Sequence, residues 1–244
     1  TEVWADGDNW ERGHWLDGRL GAVSLARLVR RLCREGGLAA DEIDVSRLEG
    51  TVTGFLVPQV ESARASIATL ARYHGFDGIE SEGRIRFVPR GRAPALTVTP
   101  DELVAADGEG EAFELVRGQE TELPVALKWT AMRGDEDYDT VAVEAQREIG
   151  RHERVAGESF PLAVTPADAE RRVLAALRDE WVARERATFR LPPSRLALDP
   201  GDVVALDHDG RRVSYRIASV ADAEARAVEG VQVDSEAFRR GPGR

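Results

Sequence analysis

The stretch SARASIATLARYHGFDGIESEGRIRFVPRG, residues 62–91, encodes a helix, a glycine stop and a β-hairpin with almost no slack between them. Ala63, Ile67, Leu70 and Ala71 recur at helical spacing and give one apolar face. Gly75 follows His74 where a left-handed C-cap residue belongs. Phe76 then opens a strand, and Ser81-Glu82-Gly83 supplies a turn. The return arm, Arg84–Val88, alternates polar and apolar residues at a period of two until Pro89 and Gly91 end it.

Upstream of this unit, Ser24 is the expected N-cap of a first helix. Leu25, Leu28, Val29, Leu32 and Cys33 lie on one face of it, Arg27, Arg30, Arg31 and Arg34 lie on the other, and Gly36-Gly37 stops it. Thr51–Val57 reads as one strand ended by Pro58. Residues 22–91 therefore form an α/β module of helix, strand, helix and hairpin. Residues 1–21, with Trp4, Trp10 and Trp15 among turn-forming Gly, Asp and Asn, read as the end of a preceding β-rich region.

Downstream, residues 92–122 form an acidic β connector with strands at Leu96–Val98 and Phe113–Arg117. Residues 123–235 alternate as a run of strands interrupted by one helix. Thr165 is its N-cap, Pro166 its first residue and Asp168 its capping-box position, and the pattern extends over 166–187. Asp199-Pro200-Gly201-Asp202 has the Pro and Gly placement of a type II turn, and Asp209-Gly210 that of a hairpin. The expected class is α+β and β-rich, the regular strands with one inserted helix suggesting a small antiparallel β-barrel or sandwich beside the α/β module. Residues 236–244 read as a linker, and the chain as a piece of a longer polypeptide.

The net charge of −11 is uneven, with −2 over residues 1–90 and −9 over 91–244. Such a surface excludes tight binding of a nucleic-acid backbone, which needs clustered cations, but not the passage of nucleic acid without adhesion. Lys128 is the one lysine. With Cys33 the one cysteine, an internal disulfide and a cysteine-based metal cluster are impossible, and its apolar helical face predicts a buried, inert thiol. The sequence contains no apolar run of membrane-spanning length and no signal pattern.

Chemistry needs convergent groups, and the sequence gives few. His14, His74, His152 and His208 are dispersed and form no paired metal motif. Asp6, Asp8 and Glu11 resemble the start of a calcium loop but lack its later positions, so a turn is expected. The Gly134–Asp139 loop and Asp207-His208-Asp209 are expected to be solvated turns. Nucleophile elbow, Walker and dinucleotide motifs are absent from the sequence. The expectation is a structural protein and not an enzyme, with no catalytic, cofactor or metal residues.

Four stretches in order carry a resemblance. Ala68–Gly91 resembles the helix, Gly-Phe and hairpin of phage tail baseplate-hub proteins of the late-control type. Trp10 with Gly13–Arg19, Gly118–Arg147 and Asp179–Val204 resemble the large host-specificity tail-tip protein of gene transfer agents and related siphophages, in the part that follows its TIM-barrel-like domain. The resemblance covers essentially the whole chain. It implies a homotrimeric baseplate hub in a virion or gene transfer agent particle, continuing the tail-tube channel through which DNA passes. It also implies tail-tube-like antiparallel β-barrel domains, one over residues 123–235 and a first completed by residues 92–122, with residues 22–91 as a lateral α/β hub domain. Implied partners are distal tail and tail tube proteins and other tail-tip or receptor-binding proteins; no cofactor is implied. A competing expectation is a carbohydrate-binding or cell-wall-acting module that uses Trp4, Trp10 or Trp15.

Overall fold

In the computed structural model, residues 22–57, 61–105, 112–135, 139–147, 154–195, 197–208, 210–223 and 225–238 are described. The chain enters through β1 (Val23–Ser24) directly into helix α1 (Leu25–Glu35). The Ser24 hydroxyl accepts the Arg27 N–H at 3.3 Å, and Leu25, Val29, Leu32 and Cys33 form the buried face. Strand β2 (Ile43–Asp44) follows.

The single strand expected over Thr51–Val57 is instead two short ones in different sheets. β3 (Thr51–Val52) pairs with β1, and β4 (Gly54–Phe55) pairs with a later strand. Gly54 permits the switch, because a β-carbon there would lie 3.0 Å from the Ala163 β-carbon.

Helix α2 (Ala63–His74) starts at Ser62, whose hydroxyl accepts the Ala65 N–H, and stops at Gly75 in the left-handed region with φ of 71°. The hairpin is β5 (Phe76–Ser81) and β6 (Arg84–Pro89), with Ser81 opposite Arg84 across a two-residue turn. Both turn residues have positive φ, 53° at Glu82 and 71° at Gly83, the geometry that matches the twist of the strands it joins.

Strands β7 (Leu96–Val98) and β8 (Phe113–Arg117) come next, then β9 (Ala126–Arg133), β10 (Thr140–Gln146) and β11 (Val155–Val164). Helix α3 (Pro166–Val182) begins at Thr165, whose hydroxyl accepts the Asp168 N–H. It ends five residues before the expected Ala187, because β12 (Glu185–Leu191) already pairs on both sides from Glu185 and Arg186 onward. The chain closes with β13 (Val203–His208), β14 (Arg211–Asp222) and β15 (Arg226–Gln232).

These elements form a β-rich α+β architecture around two apolar cores. The first joins α1, α2, the inner face of the hairpin, the β10-β9-β11-β4 sheet and α3, with Leu70, Tyr73, Phe76, Trp129, Phe160 and Leu177 at its centre. The α/β module of residues 22–91 thus shares its core with the strands and helix of residues 123–182. The second core lies inside the β7-β13-β14-β15-β12-β8 sheet, filled by Val98, Phe189, Leu191, Leu206, Tyr215 and Ile217.

The two strands of the acidic connector become the two edges of this second sheet, β7 parallel to β13 and β8 antiparallel to β12. The sheet curls. The Phe113 ring on β8 lies 4.7 Å from the His208 ring on β13, and the Val104 N–H donates to the Arg190 carbonyl across the remaining gap.

Candidate functional site

The period of the hairpin makes it two-faced. Phe76, Ile85 and Phe87 project into the first core, with the Phe76 and Phe87 rings edge to face at 6.0 Å. Asp77, Ile79 and Ser81 on β5 lie on the opposite face, and cross-strand register puts Val88 beside Asp77 and Arg86 beside Ile79. This second face meets the curled sheet.

The meeting point on the sheet is the Asp199–Asp202 turn. The Asp202 N–H donates to the Asp199 carbonyl and Gly201 has φ of 84°, as a type II turn requires. The Gly201 N–H donates to the Ile217 carbonyl, and the Ile217 N–H donates to the Asp202 carbonyl, so the turn is fixed to β14. A β-carbon at Gly201 would lie 2.8 Å from Val88 Cγ2 and 2.9 Å from Ile79 Cδ1. Glycine therefore allows a close apolar contact at this place.

Charges surround that contact. Asp199 accepts from the Ser81 hydroxyl at 2.8 Å and from Arg86 at 3.2 Å. Asp202 accepts from Arg92 at 2.9 Å, and Arg47 stands 4.0 Å away. Further in, Arg90 holds Asp77 at 2.8 Å and Asp179 of α3 at 3.3 Å, while Arg216 of β14 reaches Asp77 at 3.1 Å. Asp179 is only 6% exposed. Burial pushes its carboxyl above the ordinary aspartate value, against the pull of Arg90 and Arg216. Burial also opposes the charge on Arg90, yet Asp77 and Asp179 hold it above the usual guanidinium value.

A second polar group flanks the first core. Arg72 bridges Glu158 and Glu180, both at 2.5 Å, which outweighs its burial and keeps it firmly charged. Asp168 accepts from the Tyr73 hydroxyl at 3.1 Å and pairs with Arg171 and Arg172. Two clefts, about 360 and 310 Å³, share Tyr73, His74, Arg171 and Arg172 as walls.

The places singled out in the sequence do not converge. Cys33 is buried on α1, and burial pushes its thiol up. Asp135 pairs with Arg133, and Asp207 with Arg212; the rest of their loops at 136–138 and Asp209 lie outside the described residues. The His208 ring lies against Phe113 at a tilt of 46°, and His74 ends α2. His14, His152, Asp6, Asp8, Glu11, Trp4, Trp10 and Trp15 also lie outside the described residues. Among the described residues, no three His, Cys, Asp or Glu side chains gather as a metal site would need, and no helix is long and apolar enough to cross a membrane.

Sequence reading missed the seam itself. Its partners stand 89 to 118 positions apart in the cases of Arg90 with Asp179 and Ser81 with Asp199. The available signal was the charge on alternate hairpin positions opposite an Asp-flanked turn. Chemically, an array in which each acid faces an arginine holds and orients two bodies.

The fold is that of phage tail proteins. The structure is similar to the tail protein from Neisseria meningitidis MC58, with a TM-score of 0.60 at 10% identity over 88% of this chain and 68% of that one. It is also similar to the 43 kDa tail protein of prophage MuSo2 from Shewanella oneidensis, with a TM-score of 0.53 at 16% identity over 92% of this chain and 66% of that one. In sequence, residues 62–220 match the family described as "Putative phage tail protein". A chain in the virion of a native gene transfer agent particle is 34% identical over 100% of this chain, with a TM-score of 0.83. The present chain therefore belongs to the phage tail protein family, and spans 55% of the length of that gene transfer agent chain. No curated protein matches it.

Proposed function

We propose that this chain is the hub-forming part of a tail-tip protein in a phage-like or gene transfer agent particle. In this reading three copies surround the tail axis, continue the tail-tube channel and support DNA delivery and host attachment. The observation that carries it is the end-to-end similarity to a chain of a gene transfer agent virion. Its work is mechanical: it orients bodies and joins neighbours, and no reaction is assigned to it.

Two physical features support the reading. A chain with a net charge of −11 repels a DNA backbone, which favours a conduit over a binding site. Edge strand β8 exposes Leu115 and Val116, at 44% and 54%, on its two faces, and its outer side has no strand partner among the described residues. Unprotected edges of this kind suit contact with a neighbour in an assembly. Distal tail and tail tube proteins, and other tail-tip or receptor-binding proteins, are the corresponding partners.

Imaging of the intact particle tests the proposal. Density for this chain is expected on the tail axis in three copies; density off the axis, or a different copy number, overturns it.

A further inference from the structure

The seam divides the molecule more sharply than its chain order suggests. The two apolar cores share no member, and between them lies the Gly201 contact with Ile79 and Val88, ringed by ion pairs. Interfaces inside a protein core are mainly apolar and resist rotation, whereas polar interfaces between bodies permit it. The outer pairs are also reached by water: the side chains of Arg86, Asp199 and Arg92 are 19%, 32% and 27% exposed. Groups so placed can exchange a partner for solvent at low net cost, because the Coulomb gain and the hydration lost nearly balance.

The covalent links between the bodies have a definite arrangement. Two of them, residues 117–126 and 182–185, run side by side, joined where the Gly118 N–H donates to the Arg184 carbonyl at 2.8 Å and Arg184 pairs with Glu120. Trp181 anchors this place to the first core by donating to the Pro124 carbonyl at 2.7 Å. The third link, residues 90–95, leaves the hairpin through the seam, where Arg90 and Arg92 hold their aspartates, and the segment after β15 crosses back to seat Phe238 on Gly75 and Gly91. The geometry is that of a pivot at Gly118 and Arg184 with a latch at the Asp199–Asp202 turn.

From this arrangement we infer that the curled sheet is hinged against the helix–hairpin body, and that the Arg86, Arg92, Ser81, Asp199 and Asp202 contacts are an electrostatic latch holding one orientation. Releasing the latch, and with it the Phe238 seat on Gly75 and Gly91, swings the sheet about residues 117–123 and 183–184 while both apolar cores stay intact. Such motions need only a few connecting residues to absorb the change. The inference concerns the shape of the single chain and is independent of how many copies surround a tail axis.

Pulsed electron–electron resonance on the full chain tests it. Nitroxides are placed at Ala68→Cys on α2 and Ala221→Cys on β14, both exposed, in a Cys33→Ser background. At low salt one narrow distance distribution is expected. Salt raised to about 1 M, where the screening length falls to about 3 Å, should bring a second, longer population. Asp199→Asn with Asp202→Asn should produce the same population at low salt. A single unchanged distribution across the salt series overturns the inference, and that series decides the question even where the double variant fails to fold.

Discussion

Phe238 lies so close to Gly91 that a β-carbon at position 91 would fall 2.5 Å from the Phe238 β-carbon. The same ring covers Gly75, where a β-carbon would stand 2.6 Å from Phe238 Cε1. The Arg90 N–H donates to the Gly75 carbonyl at 2.9 Å, so the two glycines sit together at the base of the hairpin. A residue that follows the last strand of the curled sheet thus returns to the unit that opens the fold.

This contact predicts a conditional cost. Gly91→Ala should destabilise the chain by about 1–3 kcal/mol, as overfilling a packed site does. Phe238→Gly removes that β-carbon and leaves only contacts of 3.4 Å with the backbone of residue 238, so Gly91→Ala in that background should cost almost nothing. Denaturant unfolding of the four proteins in the cycle measures the coupling, expected at about 0.5–3 kcal/mol for residues in contact. Additive costs would show that Phe238 does not occupy this seat in solution.

Trp129 supplies a different test. It is 1% exposed, with its ring 4.8 Å from Phe160 and 5.6 Å from Tyr73, and its indole N–H has no hydrogen-bond partner among the described residues. An unpaired buried donor costs free energy that a purely apolar ring would not. Trp129→Ala should therefore lose about 3–5 kcal/mol. Trp129→Phe should lose much less, since the smaller cavity is partly offset by removal of the orphan N–H. Thermal melts of both variants rank them; equal losses would mean that the N–H is satisfied.

The local parts of this fold were legible because they rest on short-range chemistry. Ser24 and Thr165 cap their helices through the third residue on, Gly75 takes the left-handed conformation, and Gly201 sits where a type II turn needs it. Pairing between distant segments was not legible. Leu96–Val98 and Phe113–Arg117 carry no local mark that they flank the C-terminal strands, and the alternation of charge on the hairpin looks the same whether water or Asp199 faces it. The early end of α3 shows the same limit. Residues 183–187 have helix-forming side chains, but pairing to β8 and β15 overrides that propensity.

Glu185, at the point where propensity is overridden, should be expensive to remove. It is 7% exposed and accepts from Arg117 at 2.6 Å and from the buried Tyr215 hydroxyl at 3.3 Å. Burial first, then the Glu185 charge, raises the Tyr215 phenol well above its ordinary value. Glu185→Ala leaves that buried hydroxyl without its acceptor, while the exposed Arg117 turns to water, and should cost about 1–3 kcal/mol. Tyr215→Phe, which leaves Glu185 with Arg117, should cost about 1 kcal/mol. Urea midpoints of the two variants check the order.

Asp168 and Asp179 should respond to acid in opposite senses, although both sit on α3 beside arginines. For Asp168, burial alone would raise the pKa, but Arg172, Arg171 and the Tyr73 hydroxyl outweigh it and hold the carboxyl below its ordinary value. A depressed folded-state pKa contributes stability above the unfolded value, about 3.8, and loses it as pH falls through the folded one. Asp168→Asn should then cost about 1–3 kcal/mol at neutral pH and little in strong acid, where the native carboxyl is also neutral. For Asp179, burial dominates and raises the pKa despite Arg90. A raised folded-state value favours the protonated chain, so its contribution is full below the unfolded value and disappears as pH rises through the folded one. Above that folded value the ionised carboxylate is a net burden and below it the neutral acid resembles an amide, so Asp179→Asn should be neutral or stabilising while Arg90 keeps Asp77. Unfolding free energies of the two variants against the parent at pH 7 and pH 3 decide the matter. A large loss in Asp179→Asn at pH 7 would show that the Arg90 pair outweighs the cost of burying the carboxylate.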